Sequence, residues 1–285
     1  MIFVGSARTG LWPRALAAFA YALPVIVIAL PLFSFLSYSF FRVDNGEIVR
    51  DLGLFNYRRF FTDAIFIPVL LQTCILCLAV AGLATLIGYP VAFQLANLKG
   101  RRRYFLLLLV LVPLLMSYII KIYAIRSILG GNGFLNRFLL WTGFITQPSS
   151  LFVFNLNAVL LTLTILLIPF AILPIFLSLE RIPKSLIEAS NDLGATNLQT
   201  FRWIVLPLSL PGIVTASTFV FVLAIGDFLT PQMVGGQSGF TFGRIIYSQF
   251  GTAFNWPFGS ALAAILTFVI VIVIGLGNRL ERRWL

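Results

Sequence analysis

Asp227 stands directly after Gly226 at the end of an apolar run, and an acid in that place is the first candidate for chemistry. A carboxylate held in or against a bilayer is costly, so it marks an ion or substrate path unless a local partner explains it. Two local explanations compete with that reading. Asp227 could cap a helix, or it could pair with Lys121 or Arg126. Tyr118 and Tyr123 flank Lys121 and are weaker candidates for the same path, because tyrosines also collect at membrane interfaces without binding a substrate. A reaction on a substrate is not expected. The chain has no histidine, the most common general base and metal ligand. Cys74 and Cys77 have CxxC spacing, but nothing around them completes a metal or redox site. They read as small buried hydrophobes, and no catalytic or metal-binding residue is assigned. GxxxxGK is absent, so the chain is not expected to hydrolyse ATP itself, and no cofactor is implied.

The elements that must position these residues are membrane helices. The composition is 60% hydrophobic and 10% charged, where a soluble domain is usually about 25% charged. Apolar runs of spanning length begin near residues 15, 66, 104, 152, 212 and 258, which predicts an all-α membrane protein with six transmembrane helices. The first run, 15–41, is too long for a signal peptide and ends in Phe and Tyr. The third, about 104–128, is read as one continuous span containing Pro113. The fifth, about 212–225, is short and leads through Phe228 to Pro231 into a broken or re-entrant end. Residues 232–257 read as a polar, Gly-rich connector. Strand-like alternation is not the dominant pattern, which argues against an outer-membrane barrel.

The formal charge of +11 does not point to nucleic acid. Much of it borders the apolar runs, most densely at Lys99, Arg101, Arg102 and Arg103. The positive-inside bias then places a 1–14 segment, a 279–285 tail and the 181–211 connector together in the cytoplasm, around a 15–278 spanning domain.

That connector is organised by Ser185–Pro211. Ser185 and Glu188 have capping-box spacing, Leu186, Ala189 and Leu193 come next at helical spacing, and Gly194 is a plausible stop. Thr196 and Gln199 form a second, weaker box, and Pro207 and Pro211 are expected to break or bend the chain beyond them. The prediction is helix, sharp turn, helix at a membrane surface. This is either an ordinary connector or an element that a soluble partner grips.

Glu188–Ala189–Ser190 stands where the binding-protein-dependent ABC transporter permeases carry their EAA motif, with Ser190 a small-for-small departure. Gly194 falls at the motif's glycine, and Ile204, Leu206 and Pro207 match its closing part. The blocks Gly226–Asp227–Phe228–Leu229–Thr230–Pro231, Leu129–Gly130–Gly131–Asn132–Gly133 and Asn255–Trp256–Pro257–Phe258–Gly259 resemble the spermidine/putrescine group of these permeases, and the likeness covers nearly the whole chain from about residue 15.

The resemblance implies a type I ABC importer permease of MetI-like architecture in a bacterial inner membrane. Glu188, Ala189, Ser190, Gly194 and Pro207 would belong to the element that docks into a groove of a cytoplasmic ATP-binding subunit, one of two in the assembly. A homologous second permease subunit would complete the path, and a periplasmic substrate-binding protein would deliver a polyamine. Asp227, with Tyr118 and Tyr123, would then face that cation. Another small organic cation, an amino-acid derivative or an opine is the alternative substrate. A secondary transporter is the alternative class; sparse acids and the lack of an evident inverted repeat count against it.

Overall fold

The computed structural model describes residues 11–44, 46–148 and 152–282. Arg8 and Arg283, which belong to the segments assigned above to the cytoplasm, lie outside the described residues. In chain order the elements are α1 (Leu11–Tyr38), the hairpin β1 (Arg42–Asp44) and β2 (Glu47–Val49), α2 (Phe55–Thr62), α3 (Phe66–Asn97), α4 (Arg101–Leu115), α5 (Tyr118–Leu129), α6 (Phe134–Trp141) and α7 (Leu156–Glu180). Then come α8 (Lys184–Asp192), α9 (Asn197–Thr200), a π-turn (Phe201–Val205), α10 (Leu206–Ile225), α11 (Leu229–Val234), α12 (Phe242–Gly251) and α13 (Trp256–Glu281). Among the described residues five helices are long and apolar enough to cross a bilayer, and the bent pair formed by α4 with Tyr118–Trp141 makes a sixth.

The core is the three-way packing of α3, α7 and α10. Lipid gives apolar side chains no reason to leave it, so helices in a membrane associate through close packing and interhelical hydrogen bonds. Both are present. A Cβ at Gly212 of α10 would fall onto the Ser178 side chain of α7 and 2.9 Å from the Pro174 carbonyl oxygen, so the two backbones meet only because that residue is glycine. Gly88 of α3 lies in a similar way against Ala171 and Ile172 of α7. Hydroxyl pairs add polar links along the α3–α10 seam, Thr85 with Ser217 at 3.0 Å and Tyr89 with Ser209 at 2.9 Å. The ends of the spans are fixed by side chains that accept orphan N–H groups. Asn155 takes the Ala158 N–H at the start of α7, and Asn255 takes the Phe258 N–H at the start of α13. α1 lies outside this core, against α13.

Three expectations are corrected. The third span is not continuous. It breaks after Leu115, and the two halves differ in direction by 97°. Pro113 cannot donate within the helix, and Met116 adopts an extended backbone. The fifth span does not begin at residue 212, because helix runs unbroken from Asn197 to Ile225. Pro207 would clash in a regular helix with the carbonyl four residues earlier. The π-turn shifts those carbonyls, and Leu206 N–H bonds back to the Phe201 carbonyl instead. The prolines therefore reshape this helix without ending it. Residues 232–257 are also not a bare connector, since α12 packs against α13 there.

Replacing Gly212 with Val should drive α7 and α10 apart. The expected cost is about 1–3 kcal/mol of overpacking, read as a lower Tm of the purified protein. Adding Ser178→Gly should recover part of the loss. An unchanged Tm for Gly212→Val would show that this contact does not set the core.

Candidate functional site

Two sites stand out, one at each end of α10. At the α8–α9 end, the expected Ser185–Glu188 box does not form. α8 begins after Pro183, and no side chain caps it. Proline supplies the extended backbone that precedes the helix, and Ser185 and Glu188 are left exposed. The weaker candidate is the one that closes. Thr196 Oγ1 accepts the Gln199 N–H at 3.4 Å, and Gln199 Oε1 accepts the Thr196 N–H at 2.8 Å. Between α8 and α9 the chain reverses at Gly194, whose φ of +76° is costly for any residue with a Cβ. The Ala195 N–H donates to the Ser190 carbonyl at 3.0 Å and closes that turn.

Ser190 has a second role. Its hydroxyl lies 2.8 Å from the Thr200 hydroxyl, with both residues buried, and it also donates to the Ile187 carbonyl at 2.9 Å. The hydroxyl that departs from the motif's alanine thus ties α8 to α9. Thr200 was not singled out from sequence. The signal available was a second small hydroxyl ten residues after Ser190. The other face of α8 is bare. Glu188, Ala189 and Leu186 are exposed, and Leu193 is 88% exposed despite being apolar. Pro207 lies beyond the π-turn, at the start of α10, and is not part of that face. Behind the pair, Arg103 from α4 forms an ion pair with Glu180 at the end of α7 and lies 4.9 Å from the Phe176 ring, which pins the root of α8.

The other site is Asp227, in the break between α10 and α11. Its Oδ1 accepts the backbone N–H groups of Leu229 at 2.8 Å and Thr230 at 3.1 Å. Its Oδ2 accepts from the hydroxyls of Tyr118 and Thr230. The capping explanation therefore holds, and the ion-pair explanation does not. Lys121 lies over the Tyr118 ring at 5.5 Å and Arg126 over the Phe154 ring at 5.2 Å. Among the described residues no basic group comes within ion-pair distance of Asp227. The carboxylate is fully hydrogen-bonded, yet its charge is not neutralised. Next to it Phe228 stacks on Tyr247 of α12, with ring centres 4.6 Å apart and planes 11° apart. Tyr118 joins α5 to this cluster. Tyr123, on the same helix, is exposed and makes none of these bonds. The two surface clefts of note, about 440 and 240 Å³, lie elsewhere and do not include Asp227. Among the described residues no cluster of His, Cys, Asp or Glu could hold a metal ion.

The family described as the binding-protein-dependent transport system inner membrane component matches residues 84–284, and the chain belongs to it. The spermidine/putrescine transport system permease protein PotB of Escherichia coli K12 is 36% identical over 247 residues, covering 86% of this chain and 89% of that protein. Two solved structures share the fold. One is a bacterial ABC transporter involved in importing the acidic polysaccharide alginate, with TM-score 0.75, 17% identity, and coverage of 95% of this chain and 96% of that one. The other is the MetNI methionine ABC transporter in an inward-facing conformation, with TM-score 0.57, 22% identity, and coverage of 75% and 93%. The chain is a multi-pass inner-membrane permease subunit of an ABC importer, a transport subunit and not an enzyme.

Replacing Ser190 with Ala, or Thr200 with Val, should each destabilise the α8–α9 pair by about 1 kcal/mol, with the double substitution costing less than the sum. Limited proteolysis within 185–200 measures this. Strict additivity would mean that the two hydroxyls are not coupled.

Proposed function

We propose that this subunit imports a polyamine such as putrescine or spermidine, and that α8 receives the ATP-driven motion from separate ATP-binding subunits. The observation that carries the substrate reading is Asp227. It is an acid in a break between membrane helices, held in place by four hydrogen bonds, with no basic side chain among the described residues within ion-pair distance. A visiting ammonium group would supply the missing charge, and the neighbouring aromatic rings Tyr118, Phe228 and Tyr247 offer faces that favour organic cations. The likeness to a spermidine/putrescine permease supports the same choice. Another small organic cation, an amino-acid derivative or an opine meets the same charge requirement. The ligand affinity of the cognate periplasmic binding protein, measured by calorimetry, separates these substrates. Polyamine binding that is clearly tighter than that of amino-acid derivatives supports the proposal, and the reverse order rejects it.

In this reading the 181–211 loop, the 1–14 segment and the 279–285 tail are cytoplasmic, with spanning helices between them, and a homologous second permease subunit faces this one across the path. Leu186, Ala189 and Leu193 form the apolar part of the docking face, with Glu188 beside them. Ser190 and Gly194 keep α8 and α9 in one shape, and Pro207 begins the helix that carries the motion inward. Tyr118 contributes by holding Asp227. Tyr123 is the weakest of the path candidates because it lies outside that cluster.

Two experiments test these roles. A cysteine at Glu188 or Leu193 should form cross-links to the co-expressed ATP-binding subunit, and failure at both positions would count against docking. Asp227→Asn keeps an acceptor for the Leu229 and Thr230 N–H groups but removes the charge. Uptake should drop at least tenfold, corresponding to about 1.4 kcal/mol, with the subunit still assembled. Unchanged uptake kinetics would take Asp227 off the path.

A further inference from the structure

The basic cluster at the start of α4 does not act as one unit. Arg103 turns inward to Glu180 and Phe176. Arg101 and Arg102 remain exposed, and neither forms an ion pair with another described residue. They instead line a surface cleft of about 440 Å³, whose other walls are Leu98, Phe105 and Leu106. That volume lies within the roughly 300–1,000 Å³ of small-ligand sites. The lining is mostly apolar, and its two charged members, Arg101 and Arg102, are not neutralised by any described acid.

Its place in the fold fixes what can fill it. The cleft lies where α3 has ended at Asn97 and α4 makes its first turn, at the edge of the apolar spans. No acid occurs in that first turn, and α4 has no fully buried residue, with only Arg103, Leu107, Val110 and Pro113 partly covered in its first thirteen positions. Tyr104 and Phe105 are largely exposed, as aromatic residues at the headgroup level are, and Leu108 and Leu109 continue outward below them. A soluble anion would use the arginines and leave the apolar wall wet. An apolar helix would leave the arginines unpaired. A molecule with a phosphate above a hydrocarbon chain uses both.

We propose that Arg101 and Arg102, with Leu98, Phe105 and Leu106, form a binding site for one anionic phospholipid. The phosphate lies between the two guanidiniums, and an acyl chain runs along Phe105 and Leu106. Arginine favours phosphate because its planar fork can donate two parallel hydrogen bonds. The site depends on the chain spanning a membrane, but not on what the importer carries.

The test uses the assembled transporter in nanodiscs of phosphatidylcholine with phosphatidylglycerol, followed by native mass spectrometry of retained lipid. Arg101→Gln with Arg102→Gln should lower phosphatidylglycerol retention on the order of tenfold or more, since both guanidinium forks that hold the phosphate are lost. Arg279→Gln with Arg282→Gln removes the same charge at the end of α13 and should leave retention unchanged. Phe105→Ser, which keeps every charge, should also lower retention, and it decides the matter if the double arginine variant does not assemble. Undiminished retention in the cleft variants would overturn the proposal, and so would an equal loss in the α13 control. A cysteine at Phe105 that cross-links to a neighbouring protein subunit would give the cleft to that subunit and overturn it as well.

Discussion

Inside a bilayer no backbone N–H or carbonyl can turn to water, and three departures from regular helix in this chain carry their own compensation. At Pro207 the compensation is the π-turn, which moves the carbonyls clear of the ring while Leu206 bonds back to Phe201. Between α10 and α11 it is Asp227, whose carboxylate takes the freed N–H groups of Leu229 and Thr230. At the bend of the third span, the Met116 N–H reaches the Pro113 carbonyl and the Lys121 N–H reaches Ser117. The breaks are therefore built features held by named groups. Two of them sit at the ends of α10, where the two candidate sites lie.

That placement gives the fold its mechanical sense. α8 comes directly after α7, and α9 runs through the π-turn into α10, so both ends of the exposed helix pair are rooted in the core. α7 and α10 come close at Gly212, which faces the Pro174 carbonyl and the Ser178 side chain, and Arg103 holds the end of α7 through Glu180. A push on α8 must move these helices as packed bodies, because a core this close has few intermediate arrangements. The 20 residues of α10 make a rod of about 30 Å. Its far end carries Asp227, with Tyr118 coupling the bent third span to the same point. One helix thus connects the proposed docking face to the proposed cation site, and no separate relay is needed.

The helices were legible because long apolar runs permit little else in lipid. α1, α3, α7 and α13 are set by hydropathy alone. Local chemistry at the breaks was less legible. Capping-box spacing favoured Ser185–Glu188, but Pro183 had already set the entry to α8, and the box that formed was Thr196–Gln199. Prolines read as breakers at Pro207 and Pro211, yet a π-turn absorbed the first, which a linear pattern cannot reveal. Asp227 stood out by position, but its choice between capping and ion pairing was decided by distant residues. Lys121 and Arg126 turned to aromatic rings, and Tyr118 came from more than a hundred positions earlier. The Ser190–Thr200 contact was hidden because two small hydroxyls have no sequence signature unless the turn between them is known.

Transport through this subunit is proposed to be driven by ATP on partner subunits and to carry a polyamine. The most direct measurement is uptake of labelled putrescine or spermidine into proteoliposomes that hold the complete transporter, with the loaded binding protein outside and ATP sealed inside. Accumulation that requires ATP and the binding protein, and that persists when proton and sodium gradients are collapsed, is the predicted result. Accumulation driven by an ion gradient without ATP, or ATP-driven uptake that excludes polyamines, would contradict it.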